Sequence, residues 1–149
     1  MKQRAVAIFA SVLLVLLAVG TMAPAARAQE RLNDKDIENT IRNLHQDAGK
    51  FRSSFDSAIK KSTIRKTSQE KDSRALVKRF DRDTKALLEH FRHTKKADPD
   101  LPNLLAASEK IDRIINDAQL EGAVTSDWAT VKTELATLSR AFHMPSAGL

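Results

Sequence analysis

SDWATVKTELATLSRAF, residues 126–142, places Trp128, Val131, Leu135, Leu138 and Phe142 at steps of three, four, three and four. Residues at that spacing share one face of an α-helix, the face that packs against a core. The single tryptophan of the chain therefore opens a buried seam rather than an exposed binding platform. Its place in the first turn of this helix puts the indole near one end of the fold. A buried indole N–H there needs a partner or a water.

The same period runs through the preceding residues. Ile37, Ile41, Leu44, Ala48, Phe51, Phe55 and Ala58 form one stripe. Asn33 is placed to cap that helix, and Leu32 with Ile37 occupies the two positions of a hydrophobic staple. Gly49 lies off the stripe and marks a close contact or a slight bend. Thr67 followed by Glu70 is a capping box that opens a second helix, with Leu76, Phe80, Leu87 and Phe91 inward and Val77 and Leu88 widening the face. Turn chemistry at Asp98-Pro99 and Pro102 separates a third helix carrying Leu101, Leu104, Leu105, Ile111, Ile114, Ile115 and Ala118. Gly122 suits the left-handed conformation after that helix. The last helix stops before Pro145, because residues ahead of proline avoid helical angles. The expected helices are 34–62, 68–96, 102–119 and 126–143, an all-α, up-down-up-down four-helix bundle with two long and two shorter helices. Val77, Leu88, Leu104 and Ile114 then remain as surplus apolar residues able to pair two bundles.

The front of the chain has a different character. Lys2 and Arg4 precede an uncharged, mostly apolar run from Ala5 to Gly20, and Ala26 and Ala28 stand at signal-peptidase spacing. This is the pattern of a secretory signal peptide over residues 1–28, preceding a single domain over 29–149. An uncleaved anchor is the competing reading, but a run of 16 residues falls short of the roughly 20 that span a hydrocarbon core. The expected location is the periplasm or the cell exterior. With no cysteine in the chain, lipoprotein attachment, c-type haem and disulfides are excluded.

Charge is unevenly distributed. Residues 29–149 hold 22 Lys and Arg against 19 Asp and Glu, a mild excess. Residues 50–96, however, hold 15 bases against 6 acids, and residues 97–149 hold 4 against 8. The densest basic stretch surrounds the first helix connection: Lys60, Lys61, Arg65, Lys66, Lys71 and Arg74. The longer first pair of helices is expected to carry this tip past the shorter pair as a thin extension, flanked only by Phe55, Ile59 and Ile64. Such a tip fits contact with an acidic envelope protein or anionic lipid headgroups. Nucleic acid is not expected, because the chain is exported and the tip has no aromatic residue for base stacking.

Catalytic patterns are missing. The sequence has no cysteine nucleophile, no Gly-x-Ser-x-Gly elbow and no phosphate-cradling glycine loop, and it supports no enzyme class. His45, His90, His93 and His143 map to the lower half of the bundle, and Glu89 with His93 has the i,i+4 spacing of a metal clip. The inward Glu-x-x-His pairs of di-iron bundles are absent, so no cofactor is implied. A small-ligand, metal or haem carrier using the bundle interior or its histidine-bearing end stands as the alternative to a docking protein.

Residues 127–144, DWATVKTELATLSRAFHM, resemble the C-terminal segment of small exported helical-bundle hypothetical proteins of the acidobacterial type. These carry Asp-Trp, then Val-Arg or similar, then Leu-x-x-Leu-Ala and an aromatic. The matching residues are Asp127, Trp128, Val131, Lys132, Leu135, Leu138 and Phe142. Ser139 stands where alanine is usual, and Phe142 where tyrosine often is. The resemblance implies export and a helical bundle, and it brings no activity with it.

Overall fold

The computed structural model describes residues 32–144. The signal-peptide reading of residues 1–28 and the stop before Pro145 involve positions outside the described residues. Four helices follow one another: α1 (Asp34–Ile59), α2 (Ser68–Thr94), α3 (Asp100–Asp117) and α4 (Ala123–Ala141). They form an up-down bundle in which α1 packs on α2 and α4, α2 on α3, and α3 touches α4 over the smallest contact. At 1.5 Å per residue, α1 and α2 run about 40 Å and α3 and α4 about 28 Å. No described helix is long and apolar enough to cross a membrane.

Side-chain caps mark where α1 and α2 begin. The Asn33 side chain accepts from the Asp36 N–H at 3.0 Å, and Thr67 Oγ1 accepts from the Glu70 N–H at 3.3 Å. Glu70 Oε2 accepts from the Lys66 N–H at 2.6 Å, one residue ahead of the cap, while the Thr67 N–H bonds the Ile64 carbonyl, so only one half of the expected capping box forms. Thr67→Ala is expected to cost about 1 kcal/mol, read as a lower urea midpoint with unchanged slope. The staple before α1 is not seated, since Leu32 is 36% exposed.

Several helix bounds differ from expectation. Three of the turns are closed by non-glycine residues in the left-handed region: Lys66 between α1 and α2, Lys95 after α2 and Gln119 after α3. His143 closes the chain past α4 in the same conformation. The Leu120 N–H bonds the Ile115 carbonyl and the Met144 N–H bonds the Ser139 carbonyl, both reaching back five residues as helix-terminating motifs do. Gln119, not Gly122, therefore ends α3. Gly122, at φ 84°, is instead the N-cap of α4, which begins at Ala123, three residues ahead of Ser126. α3 in turn begins at Asp100, so Pro102 falls within its first turn, where its missing N–H costs nothing.

The earlier start of α4 moves Trp128 into the second turn and toward the middle of the core. It is 3% exposed, with Phe51 at 4.7 Å and Phe80 at 5.6 Å between ring centroids. Its indole N–H donates to Asp112 Oδ1 at 2.8 Å. The tryptophan seam is real, but it does not lie at the bundle's end. Val77, Leu88 and Leu104 are buried in the core and so are not surplus, while Ile114 is only partly buried at its margin, as is Leu76, which was expected inward. An added methyl at Gly49 would meet nothing nearer than Asp81 Oδ1 at 3.9 Å, so close packing does not require glycine there.

Candidate functional site

The connection from α1 to α2 is a compact series of turns. The Lys61, Ser62, Arg65 and Thr67 N–H groups each bond a carbonyl three residues back, and the Ser62 and Thr67 hydroxyls donate to the Ile59 and Ile64 carbonyls. This folding draws Ile64 inward. Ile59 is fully buried and Ile64 only 9% exposed, in one core with Leu120 and Val124. The expectation of a thin two-helix extension is corrected: the short α3–α4 turn reaches high enough to share the apolar interior of the tip.

Lys60, Lys61, Arg65, Lys66 and Lys71 are exposed, and among the described residues none lies within 4 Å of a carboxylate. Arg74 departs from the other five. Its guanidinium is half-buried, donating to Asp56 on α1 and to Glu70 at 2.9 Å. It clamps α1 to α2 and has no charge to spare for a partner. Glu70 and Arg74 stand at the i,i+4 spacing of a helical ion pair, but nothing in the sequence points to Asp56, 18 residues away. The Lys66 N–H and then the Arg74 guanidinium hold the Glu70 carboxyl below its ordinary range.

Beside the tip, Ser68, Gln69 and Leu76 of α2 and Lys110, Arg113 and Ile114 of α3 border an open cleft of about 420 Å³. Leu76 and Ile114 supply its apolar part. The histidines do not assemble. His45 Nδ1 meets Thr84 Oγ1 at 3.1 Å, and His90 Nδ1 meets the Asp100 carboxylate at 2.6 Å, tying α2 to the start of α3. His93 and His143 are exposed. Among the described residues no three His, Asp or Glu side chains converge as a metal site would require.

One polar cluster was not anticipated. Glu134 of α4 faces α1, where Asp47 and Lys50 are joined at 2.6 Å. Glu134 Oε2 is buried without a hydrogen-bond partner. Burial, together with the neighbouring Asp47 charge, pushes the Glu134 carboxyl up to about 7. Its position on the edge of the α4 seam was visible in the sequence, but its neighbour on α1 was not.

No family model, no curated protein and no solved structure matches this chain.

Proposed function

We propose that this is an exported, non-catalytic interaction protein of the periplasm or cell exterior. It docks by electrostatics, through the basic turn between α1 and α2, onto an anionic component of the envelope. The observation that carries this reading is the set of five exposed bases without carboxylate partners: Lys60, Lys61, Arg65 and Lys66 on a turn fixed by its own hydrogen bonds, and Lys71 in the first turn of α2 beside it. A pre-ordered cluster loses little freedom on binding, and unneutralised charge steers an oppositely charged surface toward it. The apolar-run and small-residue pattern of residues 1–28 supports export, as does the resemblance of residues 127–144 to exported bundle proteins.

The test is affinity capture from a cell-envelope extract at low and moderate salt. Protein made from the full-length chain is compared with the Lys60→Glu, Lys61→Glu, Arg65→Glu, Lys66→Glu variant. Arg74 stays untouched because it holds α1 to α2. The unmodified protein is expected to retain a partner that the variant loses and that moderate salt releases. Thermal melting should differ by about 0.5 kcal/mol or less, as for other exposed positions. Equal capture by both proteins, or capture by neither, would leave the tip as ordinary solvated surface.

A further inference from the structure

The basic surface does not stop at Lys71. At 100° per residue, Lys71, Lys78, Arg82 and Lys85 fall within about 40° of one line along α2. All four are exposed, and Val77, Phe80, Thr84 and Leu87 bury the opposite side of the helix. The line is about 20 Å long and begins one turn past Lys66.

Its charge survives because the carboxylates around it are engaged elsewhere. Asp81 is held by Arg52 at 3.0 Å, Asp83 by Arg79 at 3.4 Å and Glu70 by Arg74 at 2.9 Å. Lys71, Lys78 and Arg82 have no carboxylate within 4 Å among the described residues. Lys85 alone has one, Glu89 at 3.7 Å, and Glu89 ends the ridge. Asp72 is exposed and lies about 100° round the helix from Lys71, off the line.

Shape then selects the partner. The outer side of a helix is convex, and charges in one line along it can all meet a flat surface together. A strand of polyanion is usually held in a groove with aromatic residues against it, and this ridge has neither. It also has no apolar side chain large enough to insert, since Leu32 is the exposed large hydrophobic residue among those described. Contact through such a ridge rests on charge alone and is salt-sensitive.

We propose that the α2 ridge of Lys71, Lys78, Arg82 and Lys85 lies side-on against an anionic lipid surface, with the tip at one end of the contact. This rests on the reading that the tip meets an anionic envelope component, and it names that component and the docking pose. A basic residue close to such a surface strengthens binding about fivefold.

The experiment measures binding of the protein from the full-length chain to vesicles of phosphatidylglycerol mixed with phosphatidylcholine, and to phosphatidylcholine alone. Three variants accompany it. The ridge variant is Lys71→Gln, Lys78→Gln, Arg82→Gln, and the tip variant is Lys60→Gln, Lys61→Gln, Arg65→Gln, Lys66→Gln. The third, Lys110→Gln, Arg113→Gln, Arg140→Gln, removes the same charge as the ridge variant from other helices. Circular dichroism confirms that each is folded. The proposal expects binding to the anionic vesicles only, weakened about 100-fold in the ridge variant and only a few-fold in the third. An equal loss in the third would reduce the effect to net charge and overturn the ridge. Loss confined to the tip variant means end-on docking: the tip reading stands and the ridge falls. If wild-type protein ignores anionic vesicles, or prefers soluble polyphosphate to them, the lipid assignment is wrong. Envelope capture that still depends on the tip would then preserve the broader reading, and capture that does not would remove both.

Discussion

Trp128→Ala is expected to cost about 3–5 kcal/mol, the largest loss of any single substitution considered in this protein. The side chain is almost fully enclosed, with Phe51 tilted 39° against it and Phe80 meeting it edge-on at 67°. Truncation opens a cavity between two aromatic rings, Phe51 and Phe80, that are fixed on separate helices and cannot collapse into it. It also removes the indole donor from Asp112, which keeps only Lys132 at 3.1 Å. Domains of this size are stable by about 5–15 kcal/mol, so the variant should sit close to unfolding at room temperature. Urea titration followed by far-ultraviolet circular dichroism measures this without relying on the tryptophan signal. Asp112→Ala should cost less, about 1–3 kcal/mol, because it leaves one buried donor unpaired instead of a void. A Trp128→Ala loss below that of Asp112→Ala would mean that the aromatic cluster is loosely packed.

Glu134→Gln is expected to act in the opposite direction and only at higher pH. The folded protein holds the Glu134 proton up to about 7, whereas an ordinary glutamate releases it near 4.5. Between those values the folded state binds more protons than the unfolded one, so stability falls as pH rises through the window. Below it the protonated carboxyl can donate to Asp47. Above it two carboxylates oppose each other, and Lys50, shared with Asp47 and Asp127, offsets the repulsion only in part. Glutamine supplies a permanent donor and removes the charge. With solvent screening of this half-exposed group allowed for, the variant should gain about 1–2 kcal/mol at pH 8, or several degrees in Tm, and little at pH 4. Melting curves at the two pH values check it. Parallel profiles for variant and wild type would show that neither burial nor Asp47 holds the Glu134 proton in the folded state.

The helices were legible because their apolar residues recur at three and four over many turns, and Asn33 and Thr67 announce two of the starts. The core face of α2 was less clear. Its inner positions include Ser73 and Thr84, polar residues that periodicity alone assigns to the outside. Thr84 is tolerated there because its hydroxyl bonds the Asp81 carbonyl at 2.7 Å and faces His45. Glycine misled at the α3–α4 turn, where Gln119 adopts the left-handed angles that Gly122 was expected to take. At the tip, the basic residues were plain in the sequence. The loss of Arg74 to Asp56 was not, because it depends on how α1 and α2 are rotated against each other. The same limit hid Asp47 from Glu134 and Asp112 from Trp128. Pairings across helices come from three-dimensional register, and a single sequence does not contain it.

Trp128 touches every helix of the bundle at once: it is carried by α4, stacked on Phe51 of α1, met by Phe80 of α2 and bonded through its nitrogen to Asp112 of α3. With one tryptophan and no tyrosine in the chain, its emission is the protein's entire near-visible fluorescence. The molecule thus carries an intrinsic optical gauge at the junction of its four helices, where a change in the position of any one of them alters the surroundings of a single fluorophore.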